Sequence, residues 1–146
     1  MCFRAVFRCF VIFIRPNAYV SYLGKDRHMS NSIDDVTSRI QKFADDRDWN
    51  QFHTPKNLIM AATSELGELA ETLQWKSEVE VQEFIESEYG RSRVSEEIAD
   101  VAIYLIRLCQ KIEVDFTEIL LAKIDQNESK YPVSTSKGSS KKYNEL

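Results

Sequence analysis

At 146 residues the chain suits one domain able to bury a core, and 43% hydrophobic with 29% charged residues is the balance of a folded protein. Only four Gly and three Pro leave little turn chemistry for an all-β fold, so helices are expected. The net charge of −4 understates the acidity of the body, because Arg4, Arg8, Arg15, Lys25 and Arg27 all precede Met29 and are opposed there only by Asp26. An acidic body argues against nucleic-acid binding, which rests on phosphate neutralisation, and suits the holding of divalent cations.

Residues 1–28 read as a leader. Arg8 and Arg15 interrupt the apolar run, which excludes a membrane span of about 20 apolar residues. No small-x-small cleavage site follows, as a secretory signal requires. On a helix Arg4, Arg8 and Arg15 share one face, and that amphipathic, acid-free pattern resembles an organelle transit peptide. The alternative is a start at Met29. Neither reading places chemistry in the leader, and the expected location is the cytoplasm, or a mitochondrion or other organelle if the leader targets. Three cysteines (Cys2, Cys9 and Cys109) cannot pair completely, which fits a reducing compartment.

Residues 30–131 form the expected folded domain. "SNSIDDVTSRIQKFADDRDW" opens on a Ser or Asn cap, places Asp34 and Asp35 in the first turn, and repeats Ile33, Val36, Ile40 and Phe43 on one face. "NQFHTPKN" breaks that helix, with Thr54 as the cap and Pro55 as the first residue of the next. The second helix is predicted over 55–75, with Leu58, Ala62, Leu66, Leu69 and Leu73 inward. "SEVEVQEFIESEYG" predicts a brief helix ending at Gly90. A third long helix over 92–112 turns Val94, Ile98, Val101, Leu105, Leu108 and Ile112 inward, and a last one over 117–130 carries Ile119, Leu120 and Ile124 before Pro132. Residues 132–146 are a polar tail without periodicity. The fold class is all-α, a four- to five-helix bundle.

Two of these helices carry acids in matching places. With about 100° per residue, Glu65 lies about 60° from the centre of its apolar stripe and Glu68 about 120°. Glu97 and Asp100 sit at the same two offsets, about 60° and 120°, on the same rotational side. If the helices pack together, four carboxylates converge, an arrangement that repulsion makes costly without a cation among them. Hard oxygen donors of this kind suit Mg²⁺, or Mn²⁺, bridging to phosphates. His28 and His53 are the only histidines and no CxxC occurs, so a soft-metal site is not expected. The bland account of an i,i+3 acid pair is a solvated surface, and Glu71, Glu96 and the acids between Glu78 and Glu88 are read that way.

The segments "FADDRDWNQFHTPKNL", "SELGELAETLQWK", "EEIADVAIYL", "KIDQNESKYPV" and "KGSSKKYNEL" occur in an order that resembles the all-α nucleoside triphosphate pyrophosphatases of the MazG superfamily, and within it the dCTP pyrophosphatase branch. The family signature is EExxE, a spacer and ExxD. Glu65 and Glu68 match its second and third acids, and Glu97 and Asp100 match the ExxD. The resemblance implies Mg²⁺ held by these four acids and hydrolysis of a nucleoside triphosphate to monophosphate and pyrophosphate, with Glu68 one candidate for taking the attacking water's proton. It also implies a nucleobase site from Trp49, His53, Trp75 and Tyr104, with Asn50, Gln51 and Phe52 in the same substrate-binding segment. Phosphate contacts are implied for Lys123, Asn127 and Lys130. Without the resemblance, Trp49 and Trp75 read as core, and the late cations read as complements to a helix dipole.

Departures are visible too. Ser64 stands at the first acid of EExxE, Ile40 where vertebrate members of the branch tend to have histidine, and Glu128 where they have a basic residue. The resulting expectation is a Mg²⁺-dependent pyrophosphohydrolase acting on dCTP or modified dCTP, in a pool-cleaning role, and assembled as a homodimer or homotetramer. No nucleic-acid or membrane partner is expected. The rivals are an enzyme selective for dUTP or damaged nucleotides and a non-catalytic helical oligomer.

Overall fold

A computed structural model describes residues 32–145, and every regular element among them is helical. Helix α1 spans Ile33–Asp45, a 3-10 turn spans Trp49–Gln51, and α2 spans Pro55–Leu73. Then come α3 (Glu78–Glu86), α4 (Glu88–Lys111), α5 (Phe116–Lys130) and a short α6 (Val133–Ser136). The all-α expectation holds, the leader lies outside the described residues, and the tail contains one turn of helix that its composition did not signal. No helix among the described residues is long and apolar enough to cross a membrane.

The caps explain where the elements start. Ser32 and Thr54 accept hydrogen bonds from the backbone N–H of Asp35 and Asn57, and Pro55 occupies the first turn of α2, where its missing N–H costs nothing. Ser77 and Glu80 form a reciprocal capping box at α3. Asp115 caps α5 by accepting from Glu118 N at 2.8 Å.

Gly90 does not end a helix. The chain turns at Ser87, which closes α3 and caps α4, and Gly90 lies inside the first turns of α4. A Cβ there would meet the Phe84 carbonyl oxygen at 1.9 Å. The glycine answers a close approach between two helices rather than a left-handed cap.

The centre of the molecule is α2 packed on α4, with α3 and α1 also resting on α4. Leu58, Ala61, Ala62 and Tyr104 form the buried cluster, with Leu108 against it. The two helices run antiparallel, because the start of α2 meets the second half of α4 while Glu65 in its middle reaches the Glu97 region. Small residues at 61 and 62 let the backbones approach, which turns the buried face of α2 toward 58, 61, 62 and 65.

The predicted inward stripes need correction accordingly. Leu66, Ile98, Leu105 and Ile112 are exposed, as are Ile119, Leu120 and Ile124 on α5, while Tyr104, Ile106, Arg107 and Cys109 are buried. Apolar residues cover more than one face of α2 and α4, so periodicity alone could not say which face this chain buries by itself.

Candidate active site

The α2–α4 contact brings together three acids that are far apart in sequence. One oxygen each from Glu65, Glu68 and Glu97 lie within 4.8 Å of one another. Glu65 and Glu97 are 6% and 5% exposed, whereas Glu68 opens to solvent. Asp100, one turn beyond Glu97, acts on the same cluster. Burial, reinforced by Asp100, Glu68 and Glu97, pushes the Glu65 carboxyl up to about 7. Burial also raises Asp100 to about 6, with Glu97, Glu96 and Glu68 adding to it. Glu97 is raised by burial and partly drawn back by Arg93, whose Nη2 stands 2.9 Å from Glu97 Oε1.

Carboxyls held above their ordinary range by desolvation and mutual repulsion are groups that a cation stabilises. The donors are all hard oxygens, and neither histidine nor cysteine joins them among the described residues. This set fits a divalent metal of the oxygen-loving kind.

A second polar cluster lies where α1, the 3-10 turn and α4 meet. Asp48, in the left-handed region at φ 53°, starts the turn, a conformation Asp tolerates better than most residues. Gln51 Nε2 donates to the Asp48 carboxylate at 2.7 Å. Half-buried Trp49 packs edge-on against Phe43 and His53, with centroids 5.7 and 6.2 Å apart. His53 is 8% exposed, and burial, with Arg107 and Lys111 nearby, pulls it down to about 4, so the imidazole is neutral at physiological pH. Asn50 Nδ2 donates to Asp45 Oδ1 at 2.6 Å and the Asn50 side-chain oxygen accepts from Arg107. Phe52 is exposed, and its carbonyl accepts from Asn57 Nδ2 at 2.9 Å.

The remaining candidates are not gathered in one chain. Tyr104 is in the core beside Leu58. Trp75 is 87% exposed just past α2 and forms no ring pair among the described residues. Lys123, Asn127 and Lys130 are exposed on α5, a helix that has no extensive packing on α2 or α4. Lys123 Nζ donates to Gln126 at 2.7 Å, and Lys130 Nζ lies 5.4 Å from the Tyr143 ring centre.

Two residues were missed by reading the sequence. Arg93 is the cation beside the acids; its i,i+4 spacing to Glu97 was the available signal. Arg107, only 1% exposed, is the hub of the second cluster. Its signal was a charge embedded in the apolar run "IYLIRLC". Glu96, read as solvated surface, is half-buried and accepts from Ser92 at 2.9 Å and from Arg93 at 3.4 Å.

Comparison with known proteins places the chain in a family. A profile of the MazG-like family matches residues 60–146. The chain is 41% identical over 115 residues to dCTP pyrophosphatase 1 of Mus musculus and, over the same length, to that of Homo sapiens, covering 79% of this chain and 68% of each relative. A crystal structure of a pyrophosphatase from Archaeoglobus fulgidus superposes with a TM-score of 0.64 at 38% identity, covering 74% of this chain and 99% of that one. The matched region contains Glu65, Glu68, Glu97 and Asp100, and the chain belongs to the MazG-like family.

Proposed function

We propose that the protein is a Mg²⁺-dependent nucleoside triphosphate pyrophosphohydrolase that converts dCTP, or a modified dCTP, to dCMP and pyrophosphate. The observation that carries this reading is the convergence of Glu65, Glu68 and Glu97 at the α2–α4 contact, with Asp100 beside them, in a chain whose relatives are named dCTP pyrophosphatases. Glu65, Glu68, Glu97 and Asp100 would hold a divalent cation there, which would supply charge neutralisation for the triphosphate and a lowered pKa for an attacking water.

The chain's own residues divide the remaining work. Glu65, Glu97 and Asp100, the more buried acids, hold the site's shape and charge. Glu68, the exposed member, is placed to accept the water's proton. Trp49 and His53 offer a flat, half-dry surface to a base, a stacking contact of about 1–3 kcal/mol. Mn²⁺ is an acceptable substitute for Mg²⁺ in an all-oxygen set.

Trp75, Lys123, Asn127 and Lys130 enter this reading through assembly. Exposed apolar residues run along α2 and α4 (Ile59, Leu66, Ile98) and along α5 (Leu120, Leu121, Ile124), more than an isolated chain ordinarily leaves in water. A homodimer or homotetramer buries them and lets one subunit's Trp75 and α5 complete another's site.

The test follows pyrophosphate release by the purified protein with each dNTP in turn, with and without Mg²⁺. Metal-dependent release that is fastest with dCTP is expected; a properly folded protein releasing pyrophosphate from none of them ends the proposal. Ile40, buried and unable to hydrogen-bond through its side chain, stands at a place where the branch tends to offer a polar edge. Competition between dCTP and dUTP therefore decides how narrow the selectivity is.

A further inference from the structure

The buried guanidinium of Arg107 is not explained by metal binding or by core packing. Its Nε donates to His53 Nδ1 at 3.1 Å, one Nη1 hydrogen bond goes to Gln110 Oε1 at 2.7 Å and another to Gln41 Oε1, and Nη2 donates to Asn50 Oδ1. All four acceptors are neutral. The negative charge nearest to balancing it, on Asp45, is reached through the Asn50 amide. Gln110 is itself anchored by donating to the Thr37 carbonyl at 2.8 Å, and Lys111 Nζ lies 3.4 Å from the Asn50 carbonyl oxygen.

Burying an arginine among neutral acceptors is costly, and an apolar side chain of similar size at position 107 would avoid that cost. What this arrangement gives that an apolar one cannot is orientation. A guanidinium has hydrogens on all three nitrogens and no acceptor, so an imidazole nitrogen facing it must be unprotonated. His53 Nδ1 is therefore the acceptor and Nε2 carries the ring hydrogen. The same planar group holds Asn50 from the 3-10 turn and Gln41 from α1, so α1 and the 49–53 turn are both fixed to α4 through one side chain.

We propose that Arg107 is a positioning residue for the nucleobase site: it locks His53 as the neutral Nε2–H tautomer and clamps the Trp49–Gln51 turn to α4, so that Trp49 and His53 are held ready before a base arrives. The proposal rests on the reading of Trp49 and His53 as base-binding residues. Preorganisation of this kind is expressed in binding rather than in the chemical step, because the ordering cost is met before association. Arg107 belongs to the Trp49–His53 cluster, and the reacting phosphate belongs at the carboxylates.

The experiment combines ¹⁵N–¹H NMR of the histidine ring with steady-state kinetics on dCTP. In the wild-type protein His53 is expected to show an unprotonated Nδ1 and a protonated Nε2 from about pH 5 to 8. In Arg107→Ala the ring should become a tautomer mixture and the Trp49 indole signal should broaden. The KM should rise about tenfold, the effect of one well-placed hydrogen bond, with kcat nearly unchanged. Added guanidinium ion should restore both the spectrum and the KM. Arg107→Lys, which keeps the charge but loses the planar fork, should repeat the tautomer mixing and guards against a misfolded alanine variant. A wild-type His53 carrying its hydrogen on Nδ1, or a folded variant that loses kcat while KM stays put, overturns the proposal. Failure of the wild-type enzyme to hydrolyse any dNTP is a separate result, which removes the functional reading and leaves the ring assignment standing.

Discussion

Glu68 is the member of the acid cluster that both opens to solvent and shares donor distance with Glu65 and Glu97. Glu68→Gln keeps the size and helix preference and removes the charge, so turnover should fall at least a hundredfold, the scale of a lost general base, with an unchanged circular dichroism melting curve. Retained activity would place the reacting water elsewhere. Glu65 makes a stability prediction whose sign follows from burial. Its carboxyl is raised from 4.5 to about 7 in the folded chain. Well below the ordinary carboxyl range both states hold the proton; as pH rises to about 7 the unfolded chain ionises freely and the folded chain resists, so metal-free stability is lost through that window. In EDTA, Glu65→Gln should match wild type near pH 4 and exceed it by about 3 kcal/mol near pH 8 in urea titrations. His53, depressed to about 4, works in the opposite sense, but it is common to both proteins and cancels. Added Mg²⁺ should reverse the order at pH 8 by binding the wild-type carboxylate.

Among the elements, the α3–α4 junction is the most sharply specified. Ser87 Oγ accepts from Gly90 N at 3.0 Å and donates to the Phe84 carbonyl at 2.6 Å, so one residue ends a helix and begins the next. Gly90→Ala forces a methyl group against that same carbonyl and should cost about 2–4 kcal/mol in chemical denaturation, with activity falling because α4 carries Glu97 and Asp100. A neutral result would show that the junction yields easily. The existence of each long helix was legible from periodicity and, at two starts, from capping residues: Ser32 caps α1 and Thr54 with Pro55 starts α2 as their types predict, whereas the Ser77–Glu80 capping box at the brief α3 came from the structure. The face each helix buries was less legible. Leu66 and Ile98 fit an apolar stripe as well as Ala61 and Tyr104 do, and only the close α2–α4 approach made possible by Ala61 and Ala62 decides between them.

For the whole molecule, the exposed apolar residues of α5 have no covering element among the described residues, although Asp115 caps that helix well. An assembly of at least two copies is therefore expected in sedimentation equilibrium at micromolar concentration. The pair Leu121→Glu and Ile124→Glu should shift it toward monomer, with loss of nucleotide binding and little loss of helicity, since both positions are already exposed in the single chain. A monomeric, fully active wild-type protein would mean that α5 and Trp75 act without a partner.

The sequence by itself determined that the long helices form, that Thr54 and Pro55 start one of them, and that two acid pairs stand at matching offsets, because these depend on neighbours within a turn or two. It also carried the family signature, which no physical periodicity supplies. Only the tertiary structure decided that Glu65 and Glu97 are buried together, that Gly90 answers a helix crossing, and that Arg107 ties His53, Asn50 and Gln41 to α4. The first and last of these depend on residues separated by tens of positions, and Gly90 on how closely two consecutive helices fold together; the charge brought inside is tolerated only where the approach of two helices supplies its partners.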